Sequence, residues 1–293
     1  MSFKNTPIPE AAEAAGFTHL AIADDFDDLS QFDLSCEGKP GYTWYMDRPF
    51  GMPDLKETDF SFPEESVMHF EPEMCRPLIG FSSYSKRGDT GYTMQHGYLE
   101  ARIRVKHPGE VYQKKIHSWP AFWTLSKTNW MGKRFDHCGE IDVVEMVAIH
   151  KGHPIFTGSL HDWKRVRDED DNLVKTEYAS NLINNCGYND YFDYIDEDWH
   201  TYAVLWEPGH VAWYWDNKLM HAIRFNEWDL PQYFYRDSVT PLPSLEYYGK
   251  ESARNKPWKG AYHVFENDPQ IITTGCRGEW PMDIDWIRVW DKE

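Results

Sequence analysis

The chain has 293 residues, with 48 acidic against 30 basic side chains and a formal net charge of −18. A surface this acidic repels phosphate, which argues against nucleic acid and anionic membranes as partners and disfavours sulfated polymers unless cations gather locally. Aromatic residues make up 16% of the chain, with 14 Trp, enough to fill a core and still leave rings for stacking on flat apolar ligand faces.

Few helices are expected, and many short alternating runs bounded by Gly, Pro, Asn and Asp read as strands. Residues 36–75 contain Pro40, Gly41, Pro49, Gly51, Pro53 and Pro63 and are expected to form loops at a groove rim. Strands are expected at 97–105, 119–125, 139–147, 156–161, 201–206, 211–215, 270–275 and 284–290. Asp216-Asn217, between two aromatic-rich runs, fits a hairpin turn. The spacing suits an all-β sandwich of a length that forms one domain, and no repeat, low-complexity linker or composition break marks a second.

Cys36, Cys75, Cys138, Cys186 and Cys276 lack CxxC spacing, so neither a disulfide framework nor a zinc site is expected. Residues 1–7 lack a charged leader followed by an apolar run, and no stretch has the length of a membrane span.

The most informative segment is Glu140-Ile141-Asp142-Val143-Val144-Glu145, three carboxylates in an otherwise apolar strand. In regular alternation Glu140 and Asp142 share a face and Glu145 points away. One bulge at Val143 or Val144 would bring Glu145 to the same side. Three acids in one groove repel unless a carboxyl keeps its proton, and a raised pKa on one of a pair is what hydrolysis of a glycosidic bond requires. A divalent cation is the other use of such a cluster. HExxH and EF-hand patterns are absent, however, and hard cations draw ligands from loops with carbonyls rather than from one apolar strand.

Glu-x-Asp-x-x-Glu after Gly139 resembles the bulged active-site strand of glycoside hydrolase family 16, shared by laminarinases, agarases, porphyranases and kappa-carrageenases. Segments 97–102, 119–123, 159–163, 198–206, 211–218 and 282–290 resemble other parts of the family in the same order, from about Asp25 to the end. The resemblance implies a single domain over 1–293, a concanavalin-like β-jelly-roll of two antiparallel sheets with a concave cleft. Residues 1–24 would then be an N-terminal extension. Residues 224–268, with Trp228, Tyr233, Tyr235, Tyr247, Tyr248 and Trp258, would form an insertion or lobe.

By the same resemblance the activity is retaining, endo-acting hydrolysis of a β-linked polysaccharide, with Glu140 as nucleophile, Glu145 as acid/base and Asp142 between them. β-1,3-glucan or mixed-linkage glucan is the first substrate choice and a red-algal galactan the second. A non-catalytic carbohydrate-binding protein is the rival, although such relatives tend to lose the acids. Alternation places Trp119, Ala121 and Trp123 on one face and Pro120 and Phe122 on the other. The family pattern puts Trp123 in the cleft and leaves Trp119 open between core and cleft. Phe135 stands where laminarinases carry a Trp. His161 is expected to orient a carboxylate or bind a sugar hydroxyl, and His137 to meet substrate or solvent. Arg134 and its neighbours Lys114, Lys115, Lys133, Arg165 and Arg167 would read anionic groups on a charged polymer. No cofactor is expected for catalysis; a structural calcium ion, if bound, would use Asp285. A polymer substrate implies an extracellular or periplasmic monomer, though the absence of a visible leader leaves a cytoplasmic location open.

Overall fold

The computed structural model describes residues 6–48, 54, 56–71, 79–106, 118–133, 137–150, 153–178, 182–184, 198–224, 233–236, 238–241, 267–278 and 280–293. Two sheets face each other. The front sheet runs Leu173–Tyr178, His153–Arg167, His137–His150, Ala121–Ser126, Gln270–Cys276, Ile79–Ser82, Trp44–Tyr45, Phe32–Asp33. The back sheet runs Ser238–Pro241, Tyr233–Arg236, Lys218–Arg224, His210–Trp215, His200–Glu207, Gly97–Val105, Met282–Asp291, Val67–Phe70, Phe60–Glu64. Among the described residues, pairing is antiparallel apart from the two-residue contact of Phe32–Asp33 with Trp44–Tyr45. This is a β-jelly-roll sandwich.

Period-two alternation explains where the core sits. In His200–Glu207, Tyr202, Val204 and Trp206 point between the sheets, where they meet Phe122, Ile141, Leu160 and Ile272 of the front sheet. Ala203 and Leu205 point to the outer side of the back sheet. The N-terminal segment covers that side. Its helix Glu10–Ala14 and Phe17 pack there against Tyr98, Ala212 and Trp290, and His19–Asp24 pairs with Met282–Asp291. Among the described residues no helix is long and apolar enough to cross a membrane.

The expected strands appear, 119–125 beginning only at Ala121 and six others running longer, most of all 139–147, which grows to His137–His150, and 156–161, which grows to His153–Arg167. These two form one long hairpin. Asp216 and Asn217 both take positive φ, 46° and 62°, and close the two-residue hairpin between His210–Trp215 and Lys218–Arg224. The expectation of loops across 36–75 is corrected. Phe60–Glu64 and Val67–Phe70 pair at the margin of the back sheet, and Trp44–Tyr45 joins the front sheet. Pro63 misled because an edge strand has no partner for the missing N–H on its open side. In 224–268 the described parts include Tyr233–Arg236 and Ser238–Pro241, which extend the back sheet; Trp228, Tyr247, Tyr248 and Trp258 lie outside the described residues.

One ionic group ties three back-sheet strands together. Asp283 is fully buried and is met by His69 Nδ1 at 2.5 Å, Arg104 Nη2 at 2.6 Å and Lys106 Nζ at 3.1 Å. Burial alone would raise its pKa, but the donors from His69, Arg104 and Lys106 outweigh it and hold the carboxyl at about 2. A depressed carboxyl adds stability above its unfolded value and loses it as pH falls through the folded one. Between about pH 6 and pH 2, wild-type stability in urea titrations should therefore fall about 2 kcal/mol further than that of Asp283→Asn. Parallel losses in the two proteins would show that this carboxyl is not linked to folding.

Candidate active site

The strand His137–His150 breaks its ladder where the acids lie. Towards Ala121–Ser126, Phe122 pairs with Val144 and Trp123 with Asp142, which leaves Val143 unopposed. Towards His153–Arg167, Asp142 pairs with Ser159 and Glu145 with Thr157, so Val143 and Val144 together face Gly158. The extra residue shifts the alternation by one. Ile141, Val143 and Val144 all enter the core between the sheets, and Glu140, Asp142 and Glu145 gather on the outer face. A bulge leaves ladder groups in need of partners. Here the Asp142 carbonyl accepts from Trp213 Nε1 at 2.8 Å, an indole that reaches across from the back sheet.

Each acid has a ring nitrogen beside it. His161 is in register with Glu140, and its Nε2 lies 2.6 Å from Asp142 Oδ2 and 3.8 Å from Glu140 Oε1. Trp163, two residues along on the same face, donates Nε1 to Glu140 Oε2 at 2.9 Å. Trp119 donates Nε1 to Glu145 Oε1 at 2.7 Å, with the Arg277 guanidinium 4.5 Å from its ring centroid. Trp119 is 37% exposed. Trp123, paired with Asp142 and Thr273, is 7% exposed and joins Tyr84, Leu125, Trp130 and Ile271 in a small outer-face cluster. Among the described rings beside the acids, the exposed one is Trp119.

Burial dominates the electrostatics. It pushes Glu140 and Glu145 well above the usual carboxylate range and Asp142 up to about 7; the Asp142 charge adds to the first two. A side-chain hydrogen bond joins Asp142 and Glu145. The same desolvation lowers the His161 pKa, which favours a neutral imidazole hydrogen-bonded to Asp142. Such groups titrate as a set rather than singly. The arrangement favours keeping protons among the three carboxyls near neutral pH, while the Trp163 donor favours the ionised form of Glu140 against the burial that opposes it.

Of the other residues singled out, His137 pairs in the ladder with Lys164, and its side chain lies outside the described residues, as do Arg134 and Phe135. Asp285 is ion-paired with Arg102. Among the described residues no group of three acidic, imidazole or thiol side chains forms around it. Trp163, the last residue of segment 159–163, is a site residue beyond those expected from the sequence. Its spacing of two from His161 on a strand was the signal, since that spacing returns a side chain to the same face.

A sandwich with clustered, proton-sharing carboxyls framed by indoles has the parts of a glycosidase site. The profile of Glycosyl hydrolases family 16 matches residues 64–243, more than half of the chain, and the protein belongs to that family. A glucan endo-1,3-beta-glucosidase of Cryptopygus antarcticus is 28% identical over 147 residues, 50% of this chain and 46% of that one. The chain therefore spans about half the length of this curated relative. Among solved structures, the laminarinase catalytic domain of Thermotoga maritima is 18% identical at a TM-score of 0.52, over 94% of this chain and 98% of that one. The endo-beta-1,3-glucanase of Pyrococcus furiosus is 17% identical at a TM-score of 0.50, over 93% and 94%. At such identities the structural likeness concerns the fold.

The Trp119 N–H favours the ionised form of Glu145. Replacing it by Phe removes the donor and keeps a ring, so titration of the acid cluster, followed by NMR of carboxyl-labelled Glu, should move to higher pH in Trp119→Phe. An unchanged or lower titration would show that the indole does not act on Glu145.

Proposed function

We propose that the protein is an endo-acting, retaining hydrolase of β-1,3-glucan, of laminarin type or with mixed linkage. The observation that carries this reading is the three carboxyls brought to one face by a single bulge, buried enough to retain a proton. Family membership and the glucanase names of the relatives favour glucan over the algal galactans. A purely binding protein has no use for buried acids with raised pKa values, since keeping them costs desolvation without return.

In this mechanism the Glu140 carboxylate attacks the anomeric carbon while Glu145 gives its proton to the leaving glycosidic oxygen. The covalent glycosyl intermediate is then cleaved by water, from which Glu145, now ionised, takes a proton. Asp142 shares a hydrogen bond with Glu145 and faces His161, so the proton count of the pair follows each step. Trp119, the open ring beside the acid, offers a stacking face for one sugar. A polymer substrate favours an extracellular or periplasmic setting over a cytoplasmic one.

Purified protein should release reducing ends from laminarin at a higher rate than from agarose, porphyran or carrageenan. Glu145→Gln should slow this by roughly 10²–10⁴-fold with the fold intact, and Glu140→Gln by at least as much. Near wild-type turnover in either variant would remove the strand from the chemistry. Retention gives a second readout, since a glycosyl-enzyme intermediate returns the β configuration. Proton NMR of the first product should show the β anomer ahead of mutarotation, and early α anomer would exclude Glu140 as nucleophile.

A further inference from the structure

The acids owe their common face to one misfit in the ladder, and a buried indole from the opposite sheet meets that misfit. Trp213 is 1% exposed, sits in the core between the sheets, and donates Nε1 to the Asp142 carbonyl at 2.8 Å. The front sheet leaves room for it. Gly158 stands opposite Val143 and Val144, and a Cβ built there would lie 2.7 Å from Trp213 Cδ1 and 2.8 Å from Nε1. Any side chain at 158 would displace the indole. Donor, carbonyl and glycine thus form one fitted contact behind the catalytic face, contributed by three strands of two sheets.

We propose that Trp213 is a positioning residue for the acid/base: its N–H pins the Asp142 carbonyl, fixes the bulge, and so holds Glu145 on the face of Glu140. The proposal rests on the glycosidase reading for its kinetic consequences only. With the strut gone, the strand can relax towards regular alternation, which turns Glu145 away from Asp142. The substrate-facing side of the groove is untouched, so binding persists while the chemical step suffers. Misplacement of about 1 Å costs on the order of 100-fold in rate.

The test replaces Trp213 by benzothienylalanine, which keeps the ring shape and lacks the N–H, and in parallel by Phe; Gly158→Ala displaces the indole from the other side. Trp206→Phe is the control, another fully buried core indole of the back sheet. On laminarin, each Trp213 variant and Gly158→Ala should lower kcat by roughly ten- to a hundredfold, with KM within about twofold. The carboxyl titration of the cluster should shift as Glu145 leaves Asp142 and the Trp119 donor. Trp206→Phe should reduce Tm and move neither kcat nor the titration. Unchanged kcat and titration in folded benzothienylalanine protein would overturn the proposal, as would equal effects from Trp206→Phe. A wild type inert on every glucan would sink the functional reading, and the titration would still decide the role of Trp213.

Discussion

A single surplus residue in one strand is the constraint on which the rest depends. Without it, the run from Glu140 to Glu145 would bury one acid in the sandwich core, where an isolated charge is intolerable. With it, three apolar side chains enter the core and three carboxyls leave it. Leaving the buried Asp142 carbonyl without a donor would cost about 1–3 kcal/mol, and the cross-sheet indole removes that penalty. The core and the active face are therefore one construction: the packing that stabilises the sandwich also selects the bulged register over the regular one.

The second dependence is electrostatic. The acids stand close together in a desolvated patch, a layout that favours partial protonation over full ionisation. The partners are arranged asymmetrically. Glu140 faces a tryptophan donor and a neutral imidazole, whereas Glu145 shares a hydrogen bond with its acidic neighbour beside an exposed indole. Two carboxyls of the same type are thereby pushed towards different roles, as attack and proton delivery require.

Much of this was legible in the sequence, for identifiable reasons. Alternation exposes strands that have one face in the core, so Gly97–Val105 could be read with its bounds. The acids lie within six residues, and a bulge was the only way to reconcile them with that alternation. Legibility failed where burial no longer imposes a pattern. Phe60–Glu64 is an edge strand carrying Pro63, and the far end of His153–Arg167 runs on through polar residues. The exposure of Trp119 against the near burial of Trp123 depends on where the strand begins, at Ala121, which alternation alone does not fix. Trp213 lies 71 residues from Asp142, and no local signal connects the two.

The strand order has a further consequence, for how the chain reaches this state during synthesis. Gln270–Cys276 lies between Ala121–Ser126 and Ile79–Ser82, and Met282–Asp291 lies between Gly97–Val105 and Val67–Phe70. Each sheet thus has an interior strand that is made long after both of its neighbours. Until those strands emerge, the earlier ones are separate hairpins with open margins and an uncovered apolar side. Open margins and apolar faces of this kind are where a partly made chain is prone to aggregate. Loss of Met282–Asp291 would separate Gly97–Val105 from Val67–Phe70 and leave the N-terminal strand His19–Asp24 without its partner.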